Sequence, residues 1–205
     1  MIGISVDSYW WQAAPPQDFH IAQWPDRADV VIIGGGYTGF GAAIPLARAG
    51  LDVVIFERDQ IGSGASTRNG GITSGNLRLS FDDLTKRFGA KKATAFYQEA
   101  KAARADLAQF ITSEKIDCDL QQCGRLVGAL RSESLDSMKR DAERLAKLLD
   151  IDATVYDQTS LPDYIDTSRY CGGMMRNDIG GIHPAKLLAG MCQIARDTSV
   201  KIATQ

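Results

Sequence analysis

Three glycines at positions 34, 36 and 39, followed by an acid at 57, are the residues of this chain whose types and spacing could do chemistry. Gly34-x-Gly36-x-x-Gly39 is the spacing at which a backbone comes close to a pyrophosphate. Gly34 permits a sharp turn out of a strand, Gly36 clears the approach of the phosphates, and Gly39 lets a helix pack closely on the strand. The N terminus of that helix offers free N–H groups and a partial positive charge. Ala43, one turn further on, keeps the helix–strand contact close. Glu57 stands 18 residues after Gly39. A carboxylate there accepts hydrogen bonds from both ribose hydroxyls of an adenosine and repels a 2′-phosphate, which argues against NADP.

The elements that must position these residues are legible on either side. Asp29 to Ile33 is a short β-branched run, predicted as a strand buried on both faces of a parallel sheet. From Tyr37 to Ala49, Phe40, Ala43, Ile44 and Ala47 recur at helical spacing, and Gly50 suits the C′ position. Pro45 falls inside that helix and is expected to kink it, at about 3 kcal/mol unless neighbours compensate. Asp52 to Phe56 reads as a second buried strand ending at Glu57. Strand, glycine turn, helix and strand within about 30 residues make a βαβ unit. Residues 61–76 form a loop rich in glycine and serine that contains Arg68 and Asn69. Its place directly after the unit favours a ligand-contacting loop over a flexible linker.

The remaining chain has the periodicity of an α+β region. Residues 1–28 read as an irregular segment, with Tyr9, Trp10, Trp11 and Trp24 as aromatic anchors laid over the following domain. Ser80 is predicted to cap a short helix that Gly89 interrupts. A longer helix follows, with Phe96, Ala100, Ala103, Leu107, Phe110 and Ile111 as its core face. Leu126 to Leu130 reads as a strand. Ser132 to Leu149 reads as a helix with Leu135, Met138, Ala142, Leu145 and Leu149 facing inward. Residues 151–182 are turn-rich with short strands. Pro184 suits the first position of a helix to about Ala195, and a strand follows over 199–203. The domain reading is 1–28 irregular, 29–76 nucleotide unit and loop, 77–180 part of a second domain, and 181–205 a return to the first.

Composition excludes several classes. A net charge of −2 supplies no bulk attraction to nucleic acid or anionic lipid. No apolar run approaches the roughly 18 residues that a membrane helix needs. Met1 to Trp11 lacks the pattern of a secretory signal, which points to the cytoplasm. Cys118, Cys123, Cys171 and Cys192 lack zinc spacing and read as reduced thiols, so no metal site is expected.

The run Asp29-Val-Val-Ile-Ile-Gly-Gly-Gly-Tyr-Thr-Gly39, then Phe56-Glu-Arg58, then Ile61-Gly-Ser-Gly-Ala-Ser-Thr-Arg-Asn-Gly-Gly71 resembles the D-amino-acid oxidase-like family of FAD-dependent amine oxidoreductases. Gly64-Ala65-Ser66 and Arg68-Asn69-Gly70-Gly71 most resemble its γ-glutamylputrescine oxidoreductase branch. Tyr9-Trp10, Gly124-Arg125-Leu126 and Gly180-Gly181-Ile182-His183-Pro184 extend the resemblance over nearly the whole chain. It implies an α/β fold: a Rossmann-like FAD-binding βαβ unit with the start of an α+β substrate domain. It implies that Gly34, Gly35, Gly36, Tyr37, Thr38 and Gly39 hold the pyrophosphate of FAD and that Glu57, beside Arg58, holds the adenosine ribose. Ser63, Ala65, Ser66, Thr67, Arg68, Asn69, Gly70 and Gly71 would run beside the flavin end, the last four nearest the ring. His183 reads as an N-terminal helix residue rather than a catalytic base.

Family members are much longer, so the resemblance implies an N-terminal part that is inactive alone, with a C-terminal half or second subunit as partner. The implied reaction is oxidation of a carbon–nitrogen bond in a small amine or amino acid, and these residues supply no catalytic acid, base or nucleophile. Two other readings stay open: an NAD-dependent dehydrogenase, which shares the glycine spacing, and a non-catalytic nucleotide-binding subunit.

Overall fold

A computed structural model of the chain describes residues 6–20 and 25–205. Trp24, expected as an anchor, lies outside them. In chain order the regular elements are β1 (Val30–Ile33), α1 (Tyr37–Arg48), β2 (Val53–Glu57), β3 (Ile72–Thr73), α2 (Phe81–Phe88), α3 (Ala90–Ser113), β4 (Arg125–Ala129), α4 (Ser132–Leu149), β5 (Ala153–Asp157), β6 (Gly172–Arg176), β7 (Gly180–Gly181), α5 (Pro184–Asp197) and β8 (Lys201–Thr204). They divide into two compact units. The described residues up to Gly71, with Ile111–Asp119 and Ile182–Gln205, form the first; Ile72–Phe110 and Leu120–Gly181 form the second.

The first unit is built on a parallel sheet in the order β1-β2-β8. Val30 pairs with Val53 and Ile33 with Phe56, while Val54 pairs with Lys201 and Glu57 with Thr204. Parallel neighbours need crossovers, and α1 and α5, which supply them, pack against each other. Phe40, Ala43 and Ile44 of α1, Val53, Val54 and Ile55 of β2, and Leu187, Leu188 and Ala195 of α5 are buried. Pro184 takes the first helical position of α5, and the His183 Nδ1 accepts the Lys186 N–H at 3.2 Å as the N-cap.

One expectation for this unit needs correction. β2 is buried, but β1 is not covered on both faces: Val31 is 55% and Ile33 81% exposed. The strands advance across the sheet in one direction, so right-handed crossovers send both helices to one face, and among the described residues β1 pairs only with β2. The helix α1 runs through Pro45 to Arg48, as its spacing predicts. Pro45 and Gly41, whose carbonyl loses its helical partner to the proline, are both exposed, so the lost bond is open to solvent.

The second unit centres on an antiparallel sheet in the order β4-β6-β5, with Leu126 opposite Met175 and Val155 opposite Met174. α4 lies on this sheet, and Leu145, Leu149 and Ile151 form a core with Tyr97 and Ala153. Gly172 is obligatory there, since a Cβ would lie 2.6 Å from the Tyr156 carbonyl oxygen, a backbone atom that cannot turn away. Arg176 is buried but charge-paired: Nη2 meets Asp178 Oδ2 at 2.6 Å, and Nη1 donates to Asn76. β3 and β7 form a separate antiparallel pair. Residues 72–76, read from sequence with the nucleotide unit, pack here, and 111–119 return to the first unit.

The predicted inner face of α3 holds at Ala100, Leu107, Phe110 and Ile111, which are buried or half-buried, but not at its other two positions. Phe96 is 44% exposed, and Ala103 also faces solvent. Buried Ala93 and half-buried Tyr97 complete the face, with Tyr97 packed against the α4 core. Phe96 makes an edge-to-face pair with Phe88, ring centroids 5.6 Å apart.

Ser80 caps α2 as expected: its Oγ accepts the Asp83 N–H at 3.1 Å and donates to the Asp83 carboxylate at 2.6 Å. Ser80→Ala removes both bonds and is expected to cost about 1 kcal/mol, read as a lower urea midpoint with unchanged slope. An unchanged midpoint would show that the cap contributes nothing to the cooperative unit.

Candidate dinucleotide site

The turn between β1 and α1 has the geometry that its glycines promise. Gly34 has φ +105°, a conformation closed to L side chains, and its N–H donates to the Phe56 carbonyl at 2.7 Å. A Cβ on Gly39 would run into the Gly34 carbonyl oxygen, so this glycine sets how closely α1 approaches β1. Gly36 is the N-cap, extended at φ −95° and ψ −172°, with no side-chain cap bond. A Cβ on Gly35 would meet the Ile61 side chain, so Ile61 is the floor of the turn. Sequence reasoning missed Ile61, because nothing local marks it.

Glu57 stands at the end of β2, at the edge of this turn. Its Oε2 accepts the Gly35 N–H at 2.8 Å and its Oε1 the Asp59 N–H at 3.1 Å. The carboxylate thereby ties the second strand to the glycine turn and keeps lone pairs for a further donor. Arg58 pairs with Asp59 at 3.0 Å, with 83% of its own side chain exposed, a surface pair of small energetic weight.

The loop after β2 folds back onto the α1 N terminus. Ser66 Oγ accepts the Tyr37 N–H at 3.1 Å, one of the donors a helix leaves unpaired at its start. Asn69 braces the loop from within, its Nδ2 donating to the Ala65 and Ser66 carbonyls at 3.2 and 3.0 Å and its Oδ1 accepting the Gly71 N–H at 2.8 Å. Gly71 has φ +68°, and a Cβ there would strike the Ile182 carbonyl. Arg68 Nε donates to the Ser63 carbonyl at 2.8 Å. Thr67 is 2% exposed and its hydroxyl donates inward to the Gly62 carbonyl. Ala65 begins a single 3-10 turn over Ala65–Thr67, and Gly70 is exposed with open space around its Cα. Thr38 occupies the first turn of α1.

Tyr37 is placed by its backbone, not its ring. The hydroxyl donates to the Pro184 carbonyl at 2.8 Å and joins α1 to α5. Burial pushes this phenol up to about 12, against a smaller lowering from Asn69. A raised acid pKa means that the folded state holds its proton more tightly than the unfolded chain does. Tyr37 therefore supports the fold fully below about pH 10, and that support is lost as pH rises from 10 to about 12. Tyr37→Phe is expected to cost about 1 kcal/mol at neutral pH and to flatten the alkaline limb of a stability–pH curve. A limb of unchanged steepness would assign it to other groups. The buried thiols offer no nucleophile: burial pushes Cys192 up to about 11 and raises Cys118 as well.

A parallel β1-α1-β2 unit, a glycine turn that brings helix N–H groups to an open approach, and an acid at the end of β2 define a Rossmann-type dinucleotide-binding fold. The chain belongs to the FAD dependent oxidoreductase family (DAO), whose profile matches residues 29–205. It is 30% identical over 168 residues to the gamma-glutamylputrescine oxidoreductase of Escherichia coli, covering 82% of this chain and 39% of that protein. It is 30% identical over 194 residues to the probable oxidoreductase OrdL of Rhizobium meliloti, covering 94% of this chain and 45% of that one. Among solved structures, the L-amino acid deaminase of Proteus myxofaciens superposes with a TM-score of 0.73 at 18% identity, covering 94% of this chain and 41% of that one. The glycine oxidase of Geobacillus kaustophilus superposes with a TM-score of 0.71 at 22% identity, covering 87% and 46%. The chain thus spans less than half the length of these relatives. FAD is the cofactor of the family, and the turn, the helix N terminus and Glu57 fit its ADP half. Among the described residues, no helix is long and apolar enough to cross a membrane.

Proposed function

We propose that this chain binds the ADP half of FAD on the turn from Gly34 to Gly39, and that its protein oxidises the carbon–nitrogen bond of a small amine or amino acid. The observation that carries the reading is the fold-back of the 62–71 loop, which sets Ser66 on the first N–H of α1 beside the glycine turn. This loop speaks against a nicotinamide dehydrogenase, and the family match favours FAD. The names of the relatives, a γ-glutamylputrescine oxidoreductase, a glycine oxidase and an L-amino acid deaminase, support an amine or amino-acid substrate.

On this reading, the backbone N–H groups of Gly36 and Thr38 hold the pyrophosphate, while the Tyr37 N–H stays on Ser66, whose hydroxyl borders the site. Glu57 accepts the adenosine ribose hydroxyls while keeping its bond to Gly35. Arg68, Asn69, Gly70 and Gly71 form the side of the loop toward the flavin. When bound, the flavin supplies the hydride acceptor for the carbon next to the substrate nitrogen, and the resulting imine is hydrolysed in water. The chain's own share is to bind and orient, and the remainder of the substrate site is assigned to a C-terminal half or a partner subunit.

The test is a visible absorption spectrum of the purified chain after incubation with FAD and gel filtration. Retained oxidised-flavin bands, with no affinity for NADH by fluorescence transfer, are expected. Tight NADH binding without FAD binding would replace this reading with the dehydrogenase one. Steady amine turnover by the 205-residue chain alone would overturn the need for a further half.

A further inference from the structure

The geometry points to a second role, for the segment Ser8–Trp11, as the positioning strap of the flavin-side loop. This inference rests on the FAD reading above. Three side chains of the segment grip three consecutive loop residues. Ser8 Oγ donates to the Thr67 carbonyl at 2.8 Å, and Trp11 Nε1 donates to Thr67 Oγ1 at 2.8 Å. The Trp11 ring lies beneath the Arg68 guanidinium, 4.3 Å from carbon to centroid. Trp10 Nε1 donates to the Asn69 carbonyl at 2.8 Å, and its ring meets His183, the α5 cap, edge-on at 4.9 Å.

These contacts explain an otherwise costly arrangement. The Thr67 hydroxyl is buried. It donates to the Gly62 carbonyl and accepts the Trp11 N–H, so Trp11 fills its acceptor side and ties it to the segment. Thr67 adjoins Ser66, which reaches the α1 N terminus, and Arg68 and Asn69, which face the flavin end of the loop. Shifting Thr67 therefore shifts all three. Indole suits this role because one rigid ring supplies a donor at its edge and a face for a cation, at little entropic cost. The strap orders the loop before the cofactor arrives, so less of the binding energy goes into ordering it.

Trp11→Phe isolates the bond, since phenylalanine retains a ring beneath Arg68 but no N–H. FAD affinity of this variant is expected to fall about tenfold, the worth of one hydrogen bond to a buried group, with a loss of fine structure in the bound flavin band. Thr67→Val, which removes the hydroxyl and keeps the volume, is expected to match Trp11→Phe. Hydrogen exchange without FAD is the independent readout: amides of residues 62–71 are expected to exchange about tenfold faster in Trp11→Phe, with β1, α1 and β2 unchanged. FAD affinity within twofold of wild type in both Trp11→Phe and Thr67→Val, or unchanged loop exchange, would overturn the strap. A wild-type chain that binds no FAD would instead sink the cofactor reading, while loop exchange still decides whether the segment holds the loop.

Discussion

Gly39→Ala is expected to abolish retention of FAD and to destabilise the first unit by about 3 kcal/mol, the upper end for an overpacked site. The obstacle to the new methyl group is the Gly34 carbonyl, which is backbone and has no rotamer to yield. α1 must therefore move off β1, and the N–H groups of its first turn leave the phosphate approach together with it. Gly41→Ala is the control on the same helix. Nothing lies within 4 Å of its Cβ, so the substitution is expected to stabilise α1 by up to about 1 kcal/mol through helix propensity alone. Urea unfolding and flavin retention through gel filtration read both variants. Equal behaviour of the two would mean that helix–strand contact does not set the site.

Removal of the Glu57 carboxylate is expected to weaken FAD binding about a hundredfold, equivalent to about 2.7 kcal/mol. Two losses combine in Glu57→Ala. The adenosine ribose loses a charged acceptor for its hydroxyls, and charge-assisted bonds are the stronger kind. The Gly35 N–H also loses its 2.8 Å partner, which loosens the turn that receives the pyrophosphate. Glu57→Gln keeps one carbonyl acceptor and is expected to fall between the two. Titration of each variant with FAD by quenching of flavin fluorescence gives the ratios directly. A change below threefold for Glu57→Ala would remove this residue from the adenosine site.

Both predictions act on residues that the sequence alone singled out, and the reason is physical. A glycine demanded by positive φ or by a close helix–strand approach leaves its mark within a few positions of chain, and so does the acid that closes the second strand. The order strand, glycine turn, helix and strand, the Ser80 cap and the His183-Pro184 helix start are local in the same sense. The two helix starts depend on bonds three residues apart, and the βαβ unit closes within about 30 residues.

What only the tertiary structure decided depends on contacts between distant segments. The exposure of Val31 and Ile33 follows from which neighbours β1 has, and its β-branched composition is the same either way. The choice of Tyr97 over Phe96 as the inward ring of α3 rests on the α4 core across from it, because the two rings are adjacent in sequence at the edge of one apolar face. Ile61 becomes the floor of the glycine turn only through folding of the loop that contains it. The bonds from Trp10 and Trp11 to Asn69 and Thr67 join residues 59 and 56 positions apart. Composition marked those tryptophans as anchors, but periodicity holds no information on where an anchor lands. The residues proposed to contact a dinucleotide were therefore written locally in the sequence, and the arrangement that holds their loop in place was written only in three dimensions.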